Sequence, residues 1–314
     1  MLQNFEKKNQ IIRNAFLKEK KANPKKFERK INLSWSNWGF GIEPLEVSVR
    51  RLKKAGIKFI ELHGNRYGKD LGYKGKETNK ILSDYGIKAA GICGMFSPDN
   101  DLSSNRGIIR QNAIDYIRRQ IELALEVKAN YILIVPGAVG RPIPIDNQEF
   151  FRSVESIKIV ADDIKEAGIR AAIEPIRSAE VSFCHTFDDA LAYIKAVNHP
   201  GIQHINGDIY HMLVEESHIA YTIYKKGERL TNLHMADTNR MALGDGSMDF
   251  DTIIMALYLL GYNNEKCFAT PEPLGPGGDP YPAMFGKPDP AELNELVIKS
   301  AKYWNERENF VRNL

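Results

Sequence analysis

The chain has 314 residues, of which 43% are hydrophobic and 26% charged, so it is long enough to bury a large core as two domains or one barrel. The net charge of +3 is small and the basic residues are spread along the chain, which argues against nucleic acid as the main partner. Three cysteines without CxxC spacing suggest neither a disulfide framework nor a zinc knuckle.

The first thirty residues are rich in lysine and lack the apolar segment of a signal peptide, and no apolar run elsewhere is long enough to cross a membrane. We therefore expect a cytoplasmic protein. Phe5, Ile12 and Phe16 share one helical face in this region. Residues 1–29 are predicted to form a helical extension, packed on the outside of the main domain or docked to another subunit, and residues 30–314 form that domain.

A helix-glycine-strand unit recurs along the chain, as in "AGIKFIELHG" (55–64), "YGIKAAGICG" (85–94) and "AGIRAAIEPI" (167–176). Apolar strands that alternate with helices indicate a parallel sheet covered by helices, and eight such units at this length favour a (β/α)8 barrel. A doubly wound sheet is the alternative, but no GxGxxG motif follows the first strand. The strands are predicted near 30–36, 58–63, 88–95, 131–136, 170–174, 202–208, 230–236 and 266–271.

Polar side chains stand at the ends of the last four predicted strands. These are Glu174, Asp208, His234 and Glu272. The active site of such a barrel lies at the carboxyl ends of its strands, so all four side chains point to one mouth. Three carboxylates in a small cavity need protons or a cation to offset their repulsion.

A divalent metal bound by these four residues is the simplest solution. A single strand-end acid is more often a helix cap or an ion-pair partner, and a single histidine is more often a core residue, but four together favour a metal site. A mostly oxygen ligand set with one nitrogen suits Mn²⁺, with Mg²⁺ or Co²⁺ as alternatives.

Four sequence motifs resemble those of the sugar phosphate isomerase/epimerase family of xylose-isomerase-like TIM barrels, notably the ketose 3-epimerases of the tagatose and psicose type. The motifs are "AAIEPIRSAE", "NGDIYHM", "NLHMADTNR" and "PEPLG". The resemblance extends over roughly residues 30–305. It implies that Glu174, Asp208, His234 and Glu272 are the metal ligands. It also implies that three further residues contact the substrate, namely His211, Arg240 and Glu180.

The chemistry of such enzymes explains this set. Removal of a proton next to a sugar carbonyl creates negative charge, which a metal and an arginine stabilise. Carboxylates on either face, here Glu174 and Glu272, are predicted to remove and return the proton. His63, at the end of the second strand, is either a substrate ligand or a packing residue. Trp38 is predicted to form an apolar wall for a sugar or an aglycone, with core packing as the alternative.

Two segments depart from an ordinary ketose epimerase, namely the extension 1–29 and the Gly/Pro-rich stretch 272–290, which is predicted to be a lid or a subunit contact. Both resemble the α subunits of bacterial C-glycoside deglycosidases, which cleave the C–C bond of 3-oxo-glucosides together with a small β subunit. That resemblance implies a deglycosidase α subunit in an oligomer. A ketose 3-epimerase or related sugar isomerase is the alternative, and a non-catalytic sugar-binding subunit is a third hypothesis.

Overall fold

The computed structural model describes residues 3–64, 71–274 and 289–314. Parallel strands alternate with helices throughout these residues, as the recurring helix-glycine-strand unit predicts. Eight strands are present in this part of the chain: Asn32–Leu33 (β1), Phe59–His63 (β2), Lys88–Cys93 (β3), Tyr131–Ile134 (β4), Arg170–Ile173 (β5), His204–Asp208 (β6), Leu230–Met235 (β7) and Phe268–Pro271 (β8).

Ten α-helices lie in the same described residues, and most of them cover the outer face of the strands. Three short 3-10 helices, Pro24–Phe27, Asn37–Phe40 and Gly227–Arg229, complete the connections. The α-helices are Asn4–Ala22 (α1), Leu45–Lys54 (α2), Gly75–Tyr85 (α3), Gly107–Val127 (α4), Glu149–Ala167 (α5), Phe187–Val197 (α6), Ile209–Glu215 (α7), Ile219–Lys226 (α8), Phe250–Leu259 (α9) and Pro290–Asn313 (α10).

The strands follow the order β1-β8-β7-β6-β5-β4-β3-β2, and every ladder is parallel. A parallel bridge between Ser36 and Glu61 joins the two outer strands of this order, so the sheet is a nearly closed barrel. The predicted (β/α)8 fold is confirmed. Because all strands run the same way, their carboxyl ends meet at one mouth.

The first strand is shorter than the predicted 30–36, since regular pairing with β8 covers only Asn32 and Leu33. The chain nevertheless keeps to the barrel wall beyond this point. The Ser34 N–H donates to the Ala269 carbonyl at 2.9 Å, and the Ser36 N–H donates to the Pro271 carbonyl at 3.2 Å. Single hydrogen bonds therefore extend this edge where a regular ladder was predicted.

Glycines at the ends of three helices allow the chain to turn into the next strand. Gly56, Gly86 and Gly168 have φ angles of 75°, 67° and 67°, in the left-handed region that a Cβ disfavours. A residue in this conformation ends the helix and satisfies its last carbonyls. The repeated Gly in the sequence therefore marks the repeated helix-to-strand turn.

The inside of the barrel is built in layers because alternate residues of a strand point to the same face. Aromatic rings of Phe59, Tyr131 and Phe268 pack together near the amino-terminal end, with Phe59 and Phe268 centroids 5.2 Å apart. Two residues further along β2 and β8 stand Glu61 and Thr270, both fully buried. An aromatic plug thus closes the barrel below a polar layer.

Helix α1 packs on the outside of the barrel. Ile12 and Phe16 are fully buried, and the Phe16 ring meets Phe27 edge to face at 5.1 Å. Phe5, which is predicted on the same helical face, is 58% exposed. The Asn9 side chain donates to Asp249, the cap of α9, which ties α1 to the start of that helix.

The predicted lid at 272–290 lies mostly outside the described residues, which end at 274 and resume at 289. No helix in the described ranges combines the length and the apolar character that a membrane span requires.

Candidate active site

The carboxyl ends of the last four strands bring the predicted ligands together. Glu174 directly follows β5, Asp208 ends β6, His234 lies near the end of β7 and Glu272 directly follows β8. All four side chains are buried, with 1 to 6% of each residue exposed. Backbone hydrogen bonds hold the two glutamates in line with the strands, since the Glu174 N–H donates to the Ile134 carbonyl at 3.0 Å and the Glu272 N–H donates to the Met235 carbonyl at 2.8 Å.

His234 lies at the centre of this group. Its Nδ1 atom is 3.5 Å from Glu174 Oε1 and 3.4 Å from Glu272 Oε2. Ligand atoms of Asp208 and Glu174 lie within 4.8 Å of each other, and Asp208 Oδ2 is 3.3 Å from His211 Nε2. Two carboxylates therefore flank one imidazole nitrogen, and a third lies beside them.

A cavity of about 30 Å³ opens between these side chains. This volume is enough for an ion with a water molecule. Its lining combines the polar group with apolar residues from the earlier strands. The members that the sequence did not single out include Cys93, Met95, Val135 and Ile176.

Burial and charge act in opposite directions on the titration of these groups. Burial raises the pKa of the Glu272 carboxyl to about 8, and the nearby Asp208 and Glu61 act in the same direction. Burial opposes a charged His234, but Glu272 and Glu61 raise the pKa of its ring well above the ordinary value. In the metal-free chain, protons on Glu272 and His234 therefore offset part of the negative charge that a bound cation would otherwise neutralise.

The pKa of Asp208 moves the other way. Burial opposes its ionisation, yet His211, His234 and Arg240 together lower the pKa of this carboxyl below its ordinary value. Asp208 is therefore ionised at neutral pH, as an oxygen ligand of a cation would be.

The donors fit a hard or borderline divalent cation. Three carboxylates and one imidazole supply oxygen atoms and a nitrogen atom. Glu272 Oε1 is buried and has no hydrogen-bond partner among the described residues, so one carboxylate oxygen is left to face a cation. Two buried groups of metal-binding side chains have ligand atoms within 4.8 Å of one another, namely Glu174, Asp208 and His211, and Glu61, Cys93, His234 and Glu272.

The three residues expected to contact a substrate line the same cavity. His211 is 5% exposed beside Asp208, and Arg240 is 3% exposed with its guanidinium 4.2 Å from the centre of the Tyr210 ring. Glu180 accepts a hydrogen bond of 2.5 Å from Arg177. The structure thus places His211, Arg240 and Glu180 around the four predicted ligands.

Trp38 and His63 form one wall beside the mouth. Trp38 lines the cavity, and its ring stacks on His63 with centroids 5.8 Å apart and an interplanar angle of 17°. The His63 N–H donates to Asn37 Oδ1 at 2.8 Å, which ties β2 to the turn that carries Trp38. His63 therefore backs the tryptophan.

Three buried polar residues below the cavity were not predicted from the sequence. The Asn206 amide donates to Glu174 Oε1 at 2.8 Å, the Asn232 amide donates to Asn206 Oδ1 at 2.8 Å, and Glu61 contacts His234. Each of these residues stands two positions before His63, Asp208 or His234 on its strand. That spacing puts them on the same inward face, and it is the signal that would have found them.

Cys93 is a buried thiol at the end of β3. Burial raises its pKa well above the ordinary value, and the carboxylates of Glu61 and Glu272 add to this effect. The sequence suggested no disulfide framework and gave Cys93 no place in the site. The structure puts its sulfur within reach of the same ligand group.

Comparison with known proteins agrees with this geometry. Residues 49–287, more than half of the chain, match the Xylose isomerase-like TIM barrel family. The chain belongs to this family.

Relatives of the chain include sugar epimerases. A ketose 3-epimerase of Arthrobacter globiformis is 26% identical over 231 residues, which cover 73% of this chain and 78% of the relative. A 3-dehydro-D-guloside 4-epimerase of Escherichia coli strain K12 is 24% identical over 238 residues, covering 72% and 87%. A solved L-ribulose 3-epimerase superposes with a TM-score of 0.78 at 19% identity, covering 90% of this chain and 96% of that one, which shows the shared fold.

Proposed function

We propose that this chain is a divalent-metal-dependent sugar epimerase that removes and returns a proton on the carbon next to a ketone. The observation that carries the proposal is the placement of Glu174 and Glu272 within 3.5 Å of His234 Nδ1, at a cavity that also receives Asp208. The sugar epimerases among its relatives support the same reaction class.

Glu174, Asp208, His234 and Glu272 would hold the metal, with Mn²⁺ as the best match to the ligand set and Mg²⁺ or Co²⁺ as alternatives. When bound, such an ion acts as a Lewis acid that stabilises negative charge on sugar oxygens. In the metal-free chain burial raises the pKa of the Glu272 carboxyl to about 8, so its carboxylate is a stronger base than a solvated one and is suited to exchange a proton with a carbon acid. Glu174 would act on the opposite face.

The remaining side chains would bind the sugar. His211 and Arg240 present donors to hydroxyl or carbonyl oxygens, and Glu180 presents an acceptor to a hydroxyl group. Trp38, backed by His63, offers an apolar face on which a ring packs. These assignments rest on their common position around the cavity.

A C-glycoside deglycosidase is the second candidate function. It is favoured by the relative from Escherichia coli, whose name specifies a 3-dehydro glycoside and therefore a ketone on a glycosidic sugar. Both reactions begin with loss of a proton next to this ketone. The two differ in the second step, since an epimerase returns the proton and a deglycosidase expels the aglycone.

The deglycosidase hypothesis would add a small β subunit. For either reaction we expect an oligomer in the cytoplasm, where the three buried cysteines stay reduced.

The decisive experiment measures exchange with solvent deuterium. Purified chain, first freed of metal and then supplied with Mn²⁺, is incubated in D₂O with fructose, psicose, tagatose, a 3-oxo-glucoside or a 3-oxo-C-glucoside. We expect metal-dependent deuterium at the carbon next to the ketone, together with an epimer detected by NMR. Release of an aromatic aglycone would instead support the deglycosidase. Sugar binding without exchange would support the non-catalytic hypothesis and overturn the proposed function.

A further inference from the structure

Glu61 is a carboxylate that the proposed reaction does not use, although it lies directly below the site. It is fully buried on β2. The Tyr131 hydroxyl donates to its Oε2 at 2.5 Å, and the Asn232 amide donates to the same oxygen at 3.2 Å. Buried charge is tolerated only where donors such as these replace water. The side chain is therefore fixed from two other strands, β4 and β7.

The third contact of Glu61 is with His234. Its two carboxylate oxygens lie 2.9 and 3.0 Å from His234 Nε2. An ionised carboxylate only accepts hydrogen bonds, so Nε2 carries the proton at this contact. In the neutral ring this leaves the lone pair on Nδ1.

The Asn206 amide agrees with that tautomer, whereas the carboxylates of Glu174 and Glu272 agree with it only when a cation lies between them and Nδ1. The Asn206 amide, a donor, is 3.3 Å from Nδ1, and the carboxylates of Glu174 and Glu272 lie on its cavity side. A cation held by those carboxylates would meet the lone pair of the imidazole. The opposite tautomer would direct an N–H toward the cation and withdraw this nitrogen as a ligand.

We propose that Glu61 is a positioning residue that fixes the orientation and tautomer of His234, so that Nδ1 is presented as a ligand to a divalent cation. This inference rests on the proposed metal site. Histidine ligands commonly depend on such a carboxylate partner, and its loss typically weakens metal binding about 10- to 100-fold.

Glu61 as a direct ligand is the competing arrangement, since it also belongs to the group with Cys93, His234 and Glu272. That role would require it to leave donors from three other residues. The contacts to Tyr131, Asn232 and His234 therefore favour the positioning role.

The test compares Glu61→Gln with the matched control Glu308→Gln. Glu308 is 1% exposed and accepts hydrogen bonds from the Ile31 N–H at 2.7 Å and the Tyr258 hydroxyl at 2.9 Å, far from the site at the other end of the barrel. Metal-free full-length chains are titrated with Mn²⁺ by calorimetry and with Co²⁺ by visible absorption. The tautomer of His234 is read from ¹⁵N NMR of the metal-free chain at a pH where the ring is neutral.

We expect Glu61→Gln to weaken Mn²⁺ binding about 10- to 100-fold and to reduce the share of the Nε2–H tautomer, while keeping the same type of Co²⁺ spectrum. Glu308→Gln should change neither measurement. Mn²⁺ affinity of Glu61→Gln within twofold of the wild type would overturn the inference, and so would a Co²⁺ spectrum that reports one fewer protein ligand.

If Glu61→Gln does not fold, Tyr131→Phe serves as the second test of the inference, because it removes one donor to Glu61 and leaves the carboxylate in place. A severalfold loss of Mn²⁺ affinity in that variant supports the inference, and unchanged affinity overturns it. A wild-type chain that binds no divalent cation overturns the proposed function and this inference together. If the wild type binds Mn²⁺ and the variants bind it equally well, only the inference about Glu61 is overturned.

Discussion

Arg170 and Glu308, at the amino-terminal end of the barrel, meet partners within the chain, whereas Glu272 and His211, at the carboxyl-terminal end, each leave a buried polar atom without a partner among the described residues. Arg170, at the start of β5, donates from Nη1 to Thr231 Oγ1 at 2.8 Å and to the Lys266 carbonyl at 2.9 Å. At the mouth, Glu272 Oε1 and His211 Nδ1 are buried without a hydrogen-bond partner in the described part of the chain. The first arrangement stabilises the fold, and the second leaves binding capacity to a ligand.

The contrast is sharpest between two glutamates. Glu308 gains two hydrogen bonds at the amino-terminal end. Glu272 lies beside Asp208 and Glu61, which add to its burial in raising its pKa to about 8. A carboxyl in that position reduces the stability of the chain unless a proton or a cation joins it. Packing alone would favour another residue at this position, so Glu272 is the more telling of the two for a role in binding or catalysis.

The largest effect should come from Glu272→Gln. We expect the activity to fall by about 10³-fold, because the amide neither takes up a proton nor binds a cation as a carboxylate does. The free energy of unfolding of the metal-free chain should stay the same or rise by roughly 1 kcal/mol, since one of three neighbouring carboxyl groups is removed. Turnover assays and urea unfolding measure the two quantities.

Glu308→Gln is the control for this substitution at the opposite end. It keeps an oxygen acceptor for Ile31 and Tyr258, so activity should be unchanged. If Glu272→Gln is as active as the wild type, Glu272 takes no part in the reaction.

The sequence was sufficient for the barrel and for the four residues at its mouth, because each piece of evidence was local. Apolar runs mark the strands, glycines such as Gly168 mark the helix ends, and a strand-end position places Glu174 at the mouth. The polar layer below was not foreseen. Glu61 and His234 are 173 residues apart, and nothing local to either one indicates the partner.

Metal binding should produce the next largest effect. Adding Mn²⁺ to the metal-free chain at about 100 times its dissociation constant should stabilise the fold by about 2.7 kcal/mol. For a chain of this length that corresponds to a rise in Tm of roughly 4 °C. Differential scanning calorimetry measures the shift, which should be much smaller in Glu272→Gln. An equal shift in both chains would mean that the ion binds elsewhere, for instance beside Asp249 and Asp251 in the groove between α1 and α9.

A smaller effect is expected at the amino-terminal end on acidification. Burial, together with Arg170 and Arg229, lowers the pKa of His204 from 6.5 to about 4. Between these values the unfolded chain binds a proton that the folded chain excludes, so the free energy of unfolding falls as the pH falls from about 6.5 to 4. The loss attributable to this ring should be about 2 kcal/mol or less, because part of the ring is solvated.

His204→Gln isolates this contribution, since all other groups titrate alike in both chains. Urea unfolding at pH 7 and pH 4.5 should show a smaller acid-induced loss in the variant than in the wild type. The same pH dependence in both chains would show that the arginines do not oppose protonation of this histidine.

The smallest effect should come from Tyr258→Phe, which removes one hydroxyl group at the amino-terminal end of the barrel. This hydroxyl contacts Glu308 Oε1 at 2.9 Å and the Arg29 carbonyl at 3.2 Å, and the Ile31 N–H still serves Glu308 after the change. One hydrogen bond is lost while the ring keeps its stacking on Phe27, so unfolding should become easier by about 1 kcal/mol. Activity should be unchanged. A loss of activity without a loss of stability would contradict the contrast between a stabilising amino-terminal end and a ligand-binding mouth. It would mean that polar contacts at the amino-terminal end affect the reaction at the mouth.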